Sequence, residues 1–344
     1  EMSASLVGSE MCIRDRAKED NGNDGFYRVE DSGRKTKNDE SLYGYRSATI
    51  FSSLMNLDVS HLFQSLYMEG GKNFYCYNGA SPLPSAMFSV KYMLSSNPVD
   101  ESPLRTLVGS SNGNYLYRNN YCLPLGYMMS EKAIKGWESS MLDRIGSLNS
   151  LAQQLGAKGD MLYPATCTQS QAAGDTTIDI SEDGYYYADY VTCNADSLTV
   201  SRDDGWTQQY GKTTHRYLLD LGECKAGTKV HITNLNAETI EYHVYRLNFK
   251  AMCTAYETLS EQTMSLEKMT DRRIVGSIDV RQAGRLILSV PADDGWTLYV
   301  DGKKTKIKPF ADALIGVHLK EGTHKIELRY TTPVSYTHLR AHET

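Results

Sequence analysis

Hydrophobic and polar residues follow two different patterns along this chain, and the pattern changes near residue 165. Before that point, helical spacing alternates with short strand-like runs, among them residues 26–30 and 123–129. Residues 83–95 predict a short helix that passes into a strand. The first part of the chain is therefore predicted to mix helices and strands.

Two helices in this first part have apolar faces that can be followed residue by residue. The first begins at Ser60, a residue type favoured as an N-cap, and ends at Gly70-Gly71; its face is formed by Leu62, Phe63, Leu66 and Tyr67. The second covers residues 131–155 and is interrupted at Gly146. Together these patterns predict a mixed α/β domain over residues 17–165.

The second half of the chain has the texture of an all-β structure. Short alternating runs lie between turn residues, about 8–12 residues apart, which is typical of β-sandwiches. Residues 251–270 are the helical interruption. The predicted strands are 176–180, 185–193, 197–201, 215–221, 228–233, 242–249, 273–280, 284–290, 296–300, 314–319 and 323–330.

A repeat runs through this half. The pentapeptide Asp-Asp-Gly-Trp-Thr at 203–207 recurs at 293–297, and residues 225–232 resemble residues 320–327. The repeat predicts two related antiparallel β-sandwich modules of jelly-roll-like type. We place them at 166–249 and at 250–333, the second opening with the helical interruption. The predicted fold class is α+β.

The two ends do not share these patterns. Residues 1–16 and 334–344 have no apolar period and no capping residue, and they resemble translated sequencing-adapter tails. We expect both to be artefactual and residues 17–25 to be a polar linker. The remaining chain holds six cysteines, which allow 15 disulfide pairings and are equally compatible with free thiols: Cys76, Cys122, Cys167, Cys193, Cys224 and Cys253.

Composition narrows the classes of function. The chain has 344 residues with 36 Lys and Arg against 42 Asp and Glu, a net charge of −6, which argues against a nucleic-acid partner. No apolar run reaches the roughly 18 residues of a membrane span. Tyrosine is unusually common, with 24 Tyr against 7 Phe. Aromatic rings with a polar tip can face water, so part of this aromatic surface is expected to be exposed.

Candidate chemistry is sparse. Gly109–Gly113 matches the G-x-S-x-G motif with Ser111 as nucleophile, but the residues after it start a helix poorly and no partner histidine is evident, so a turn is the favoured reading. The Asp-Asp-Gly triplets fit turns better than calcium ligands. We therefore predict no catalytic residue, no metal site and no cofactor in this chain.

Four aromatic residues are candidates for carbohydrate binding. Trp206 and Trp296, one in each copy of the repeat, either stack on sugar rings or close the end of a sandwich core. Tyr185 and Tyr187 lie two apart in a predicted strand, so they share one face.

The second module carries a recognisable pattern. Gly295-Trp296, the run 300–303 (Val-Asp-Gly-Lys), the run 321–324 (Glu-Gly-Thr-His) and Tyr330 follow one another, and Phe-Tyr-Arg-Val-Glu stands upstream at 26–30. In these motifs the chain resembles the C-terminal extracytoplasmic region of the YfhO family of bacterial membrane proteins, over nearly all of residues 26–333.

The resemblance implies a function for the whole parent protein. Members of that family are many-pass membrane proteins similar to the GT-C glycosyltransferases, thought to move a sugar from a lipid-phosphate carrier to an envelope polymer such as lipoteichoic acid. Their proposed catalytic carboxylates belong to the membrane part, so none is carried over here. The chain is then expected to be a soluble accessory or acceptor-positioning region on the extracytoplasmic face. Its expected partners are the membrane domain of the same protein and an envelope glycan.

Two alternatives stay open at this point. The chain could be a secreted carbohydrate-binding or adhesion protein built from sandwich modules, which the sequence flanking it would decide. It could also be a free-standing hydrolase that uses Ser111, which a serine-reactive label would detect.

Overall fold

The computed structural model describes residues 15–22, 25–99, 101–191 and 193–332, with only the backbone of Leu42. The expectation that both ends are artefactual falls almost wholly outside these ranges and stays a prediction. Residues 15–21 form helix α1, whose Ala17 is buried against the first sheet. The predicted polar linker at 17–25 is therefore wrong for its helical part, because an apolar residue there has a core to enter.

In the described residues of its first part, the chain forms two small sheets and five further helices. The sheets have the strand orders β1-β5-β7-β6 and β2-β4-β3; β1 and β5 are parallel, and the other pairs described in these two sheets are antiparallel. The elements are β1 (Arg28–Asp31), α2 (Asp39–Tyr43), β2 (Ile50–Phe51), α3 (Leu57–Ser65), β3 (Glu69–Gly70), β4 (Phe74–Cys76), α4 (Pro82–Met87), β5 (Val90–Ser95), β6 (Arg105–Ser111), β7 (Asn114–Asn119), β8 (Gly126–Met129), α5 (Glu131–Gly136), α6 (Arg144–Gln154) and β9 (Leu162–Pro164).

Almost all of the regular elements in the rest of the chain are strands. Its elements are β10 (Cys167–Ala172), β11 (Asp175–Ile180), β12 (Gly184–Tyr190), β13 (Ser197–Arg202), β14 (Thr207–Gly211), a 3-10 turn (Thr213–His215), β15 (Leu219–Cys224), β16 (Lys229–Thr233), β17 (Tyr242–Leu247), α7 (Phe249–Ser260), β18 (Ser265–Thr270), β19 (Arg273–Val280), β20 (Gly284–Pro291), β21 (Trp296–Val300), β22 (Lys303–Thr305), β23 (Leu314–Leu319) and β24 (Gly322–Tyr330). The predicted α+β class with sandwich modules is confirmed.

The two modules share one topology. Strands β10–β16 build the first and β18–β24 the second. Numbered from the start of each module, both have the order 1-2-7-4-5 in one sheet and strand 3 beside strand 6 in the other. The chain thus crosses between the sheets after each hairpin, as in a jelly roll. The inferred duplication is confirmed at the level of the strands.

The pentapeptide that suggested the duplication does not occupy equivalent positions. Residues 203–206 turn the β13–β14 hairpin, between strands 4 and 5, whereas residues 292–295 connect β20 to β21, which are strands 3 and 4. The second shared segment is in register, because 225–228 and 320–321 both join strands 6 and 7. Asp-Asp-Gly suits any tight turn, so its recurrence carried no register information.

Each sandwich also borrows an edge strand from outside its seven. In the second module β8, from the first part of the chain, pairs with β20 from Gly126↔Leu288 to Met129↔Arg285. In the first module β17 pairs with β12, and β9 pairs in turn with β17. The first part of the chain therefore contributes strands to both modules.

Several helix boundaries differ from the prediction. Helix α3 begins after Asn56, whose side chain accepts a hydrogen bond from the Asp58 amide, and Ser60 lies buried inside the helix with its hydroxyl donating to the Gly71 carbonyl. The predicted helix over 131–155 is two helices, α5 and α6, and Asp143 caps the second. The predicted helical stretch 251–270 ends in strand β18, whose polar, exposed residues pair with β19.

One apolar core joins all three segments of the chain. It contains residues of α3, α4, α6 and α7, of β12 and of β20, and its fully enclosed members include Leu62, Leu83, Leu151, Tyr187, Leu218, Met252, Leu259, Ile287 and Phe310. Two separate cores fill the sandwiches themselves. Within the described residues, no helix combines the length and the hydropathy that crossing a bilayer demands.

Buried polar groups fix how the segments meet. The Arg28 guanidinium donates to the Phe88 carbonyl and to the Ser289 hydroxyl and carbonyl, which ties β1 to β20. The Glu69 carboxylate accepts from Lys37 at 2.7 Å and lies 2.6 Å from the His215 ring, which ties β3 to the first sandwich. Gly79 adopts a φ of 84°, and a Cβ there would lie 2.5 Å from the Tyr67 carbonyl.

The shared core predicts one cooperative unfolding unit. Leu259→Ala removes a fully buried side chain and leaves a cavity, so we expect the free energy of unfolding to fall by about 2–5 kcal/mol. Circular dichroism at strand and helix wavelengths and tryptophan fluorescence should report the same shifted midpoint. Leu54→Ala, at a side chain that is 93% exposed, is the control and should change stability by less than about 0.5 kcal/mol. Separate transitions would contradict a single core.

The Glu69 contacts predict acid sensitivity. Burial alone would raise the pKa of this carboxyl, but the His215 hydrogen bond and the Lys37 charge outweigh it and lower the pKa to about 2. A depressed acid stabilises the fold above its unfolded pKa and loses that contribution as the pH falls through the folded pKa. Stability should therefore fall between pH 4.5 and 2.

The Glu69→Gln variant should lose about 1–3 kcal/mol at pH 7 and much of this pH dependence in urea unfolding curves. Glu257→Gln, at an exposed position on α7, is the matched control. If the stability of Glu69→Gln fell with pH as steeply as that of the unmodified chain, the acid sensitivity would not come from Glu69.

Candidate functional site

A cleft lies where the first part of the chain meets the first sandwich. It has about 750 Å³ of empty volume, which includes space open to solvent. One wall comes from β1, β5, β6 and the segment 77–80, and the other from β12, β14 and β15. The lining includes a group of aromatic side chains: Tyr77, Tyr185, Tyr187, Trp206 and Tyr210.

The centre of the cleft is a hydrogen-bonded trio. The Arg105 guanidinium donates to the Tyr185 hydroxyl and to the Asp220 carboxylate, each at 3.0 Å. The Tyr185 hydroxyl donates to the same Asp220 oxygen at 2.8 Å. The other Asp220 oxygen accepts from the Gly222 amide. Arg105 comes from β6 and the other residues from the sandwich, so only the tertiary fold assembles the trio.

Tyr187 and Trp206 each carry a buried polar atom without a hydrogen-bond partner among the described residues. The Tyr187 ring lies 5.4 Å from that of Tyr185, on the face predicted from their spacing. Tyr187 is 1% exposed, and neither its hydroxyl nor the Trp206 Nε1 has a hydrogen-bond partner among the described residues, although both atoms are buried. A buried polar atom without a partner is costly, and a ligand or water that supplies the partner removes the cost.

The local backbone explains where Trp206 lies. The turn at 203–205 reverses β13 into β14, with Gly205 at a φ of 93°, and the Asp204 carboxylate accepts from the Trp206 amide. One face of the indole is covered by the Arg202 guanidinium, 4.8 Å from the ring centre. The ring is half-buried against the sandwich core and also lines the cleft.

Trp296 is not part of this cleft. It stands at the start of β21 in the second module, packs against that module's core and meets the Tyr330 ring edge-on at 5.0 Å. The structure thus brings together three of the four aromatic residues proposed from sequence, and separates the fourth. Sugar binding at any of them stays a prediction.

The opposite wall carries a second ion pair. The Arg34 guanidinium lies 3.7 Å from the Glu30 carboxylate and donates to the Asn78 side chain at 2.7 Å. Glu30 is 1% exposed and accepts further hydrogen bonds from the Ser47 hydroxyl, the Ala48 amide and the Thr49 hydroxyl. Both charges are therefore held in place by the first part of the chain.

The titration of the cleft phenols follows from their burial. Removal from water raises the pKa of Tyr185, Tyr187 and Tyr210 well above the ordinary value. These hydroxyls stay neutral at physiological pH, so each can both donate and accept a hydrogen bond. The described residues contain no group of three His, Cys, Asp or Glu arranged to hold a metal ion.

The G-x-S-x-G motif forms a hairpin. Ser111 ends β6 opposite Asn114 of β7, and Asn112-Gly113 makes the turn with positive φ at both residues. A nucleophile elbow needs a strand followed by a helix. The prediction that this motif forms a turn is confirmed.

The six cysteines of the described residues are free thiols.

Sequence reasoning missed Arg105, Asp220, Glu30 and Arg34. Arg105 and Asp220 are single charged residues in strands with no motif around them, whereas Glu30 ends the Phe-Tyr-Arg-Val-Glu run and Arg34 lies in a charged loop. The one available signal is a charge in otherwise alternating strand sequence, as at Asp220 between Leu219 and Leu221. That signal does not say which residue, more than 100 positions away, supplies the counter-charge.

Comparison with known sequences gives a family. The family described as "Bacterial membrane protein YfhO" matches residues 9–340. A curated protein of Bacillus subtilis (strain 168), "Uncharacterized protein YfhO", is 22% identical over 373 residues. That alignment covers 94% of this chain but 42% of the relative, so the chain spans less than half of the relative's length.

Similarity to solved structures is weak. A glycoside hydrolase 29 family member from an unknown rumen bacterium aligns with 54% of this chain and 41% of its own, at 12% identity and a TM-score of 0.24. A conserved protein of unknown function from Pseudomonas aeruginosa, PA5104, aligns with 48% of this chain and 81% of its own, at 11% identity and a TM-score of 0.18. These scores are too low to assign a shared fold.

The hairpin predicts that Ser111 is not an activated nucleophile. Incubation of the chain with a fluorophosphonate probe should give no labelling above a heat-denatured sample, because Ser111 ends a strand of a β-hairpin and does not stand before a helix, as the nucleophile of this motif must. Mass spectrometry of the 105–118 peptide is the readout. Labelling of Ser111 that is lost in Ser111→Ala would contradict the assignment.

Proposed function

The chain belongs to the YfhO family of bacterial membrane proteins, and on that premise we propose that it is an extracytoplasmic accessory region that positions an acceptor glycan for its membrane-bound parent. The parent would transfer a sugar from a lipid-phosphate carrier to an envelope polymer of the lipoteichoic-acid type. This chain supplies the binding cleft, and the membrane part of the same protein supplies the chemistry and is the partner.

The cleft is the observation that supports this role. Aromatic rings line both walls. The Tyr187 hydroxyl and the Trp206 Nε1 are buried without a partner among the described residues, so each would gain a hydrogen bond from a ligand hydroxyl that reached it. The candidate nucleophile Ser111 lies in a hairpin turn, which agrees with a region that binds rather than reacts.

The fixed geometry of the cleft suits a positioning role. The Arg105–Asp220–Tyr185 trio joins one wall to the other, and the walls rest on the shared core through Tyr77 on one side and Tyr187 and Leu218 on the other. A glycan held in a rigid cleft loses little further protein entropy on binding, so its reactive end can be presented in one orientation.

The proposal predicts binding of envelope polymer at this cleft. Purified lipoteichoic acid should bind the immobilised 344-residue chain in biolayer interferometry. Trp206→Ala should weaken binding about 2- to 12-fold, the equivalent of about 0.5–1.5 kcal/mol for one lost aromatic contact. Tyr185→Phe, which keeps the ring and removes one hydroxyl, should weaken it less.

Trp296→Ala is the matched control, because Trp296 is equally half-buried and lies outside the cleft. Thermal melting of each variant separates lost binding from lost folding. No binding to the unmodified chain, or equal loss in Trp206→Ala and Trp296→Ala, would count against the proposal.

A further inference from the structure

The charges that line the cleft are matched one to one. Four charged side chains lie among the lining residues that the structure describes: Glu30, Arg34, Arg105 and Asp220. Arg105 is 3.0 Å from the Asp220 carboxylate, and Arg34 is 3.7 Å from the Glu30 carboxylate. Each cation thus has its own anion inside the cleft, and the sum of the four charges is zero.

The guanidinium groups have little left to give an anionic ligand. Arg105 already donates to Tyr185 and Asp220, and its side chain is 11% exposed. Arg34 donates to Asn78 and to the Cys76 sulfur, and its side chain is equally buried. A phosphate that displaced these partners would leave a carboxylate buried and unpaired, which is strongly unfavourable.

Two buried polar atoms of the cleft lining have no hydrogen-bond partner among the described residues, and both are uncharged. The Tyr187 hydroxyl can donate and accept, and the Trp206 Nε1 can only donate. They stand among rings whose faces are apolar and whose phenols stay neutral, because burial raises the pKa of Tyr187 and Tyr210. This combination can form hydrogen bonds with the hydroxyl groups of a sugar and pack against the apolar face of its ring. It offers no counter-charge to an anionic ligand.

We infer that the cleft takes an uncharged, hydroxyl-bearing sugar unit and rejects units that carry phosphate or carboxylate. This inference rests on the proposed function, and it narrows which part of the polymer is held. In a polymer that alternates charged and neutral units, the cleft holds the neutral glycosyl substituent and leaves the phosphodiester backbone in solvent.

The test compares neutral sugars with their phosphates on the unmodified 344-residue chain. Saturation-transfer NMR would measure binding of glucose, galactose and N-acetylglucosamine, and of the 6-phosphate of each. At least one neutral sugar should bind, with its 6-phosphate at least tenfold weaker. Salt screens interactions between charges, and the sugar has none. Its dissociation constant should therefore change less than about twofold between 50 and 500 mM NaCl. Tyr187→Phe should weaken binding of the neutral sugar about 2- to 12-fold.

A charge variant gives an independent test. Asp220→Asn removes one of the two carboxylates and leaves Arg105 unmatched, so the cleft gains a net positive charge. We expect this variant to bind the sugar phosphates more tightly than the unmodified chain does, with a marked salt dependence. Asp196→Asn, which alters the exposed Lys212–Asp196 pair outside the lining, should not. Thermal melting confirms that each variant is folded.

The outcomes separate this inference from the proposed function. If lipoteichoic acid binds but the phosphates bind as tightly as the neutral sugars, or binding falls steeply with salt, the inference is wrong and the positioning role survives. If neither polymer nor any sugar binds, both fail. Binding of neutral sugars that is unaffected by Tyr187→Phe and by Trp206→Ala would move the site away from this cleft and overturn the inference.

Discussion

The architecture depends on the need to bury one apolar surface that no segment of the chain can cover alone. The inner faces of α3, α4, α6 and α7 meet the outer face of β12 and the underside of β20 in a single core. Each β-sandwich has its own interior, but the surface it turns toward the helices is also apolar. Because apolar burial is the dominant favourable term in folding, this surface determines how the three segments sit against one another.

The cleft is a consequence of that arrangement. Tyr187 and Leu218 belong to the shared core and also line the cleft, so its floor cannot move without disturbing the core. An ion pair then joins the two walls, because Arg105 reaches across to Asp220. A cleft that lies on a packed interface between segments is rigid. Its charges are matched because unpaired charges buried at such an interface would oppose folding.

The duplicated modules show how far a repeat in sequence can be read. Seven strands recur in the same order and topology, and the turn between strands 6 and 7 keeps similar residues in both copies. The pentapeptide at 203–207 and 293–297 occupies different turns. Turn chemistry answers a local demand for tight reversal, so it recurs without marking equivalent places, whereas strand order reflects how two sheets are closed over a core.

The sequence by itself determined the elements and the class. Alternation with period two located most of the strands, including the Tyr185 and Tyr187 face, because residues two apart in a strand must point the same way. It missed the exposed strands β10 and β18, whose residues are mostly polar and carry no alternation. It misplaced the start of α3, because Ser60 suits a cap as a residue type and only the backbone shows that Asn56 makes the bond.

Only the tertiary structure decided which residues and strands, distant in sequence, lie next to each other. Neither the pairing of β8 with β20 nor that of Arg105 with Asp220 leaves a local trace, since both join residues more than 100 positions apart. The same holds for the separation of Trp206 from Trp296, which look alike in sequence and lie in different surroundings. Local preference acts within a few residues, whereas the cleft and its matched charges come from long-range packing of a shared core.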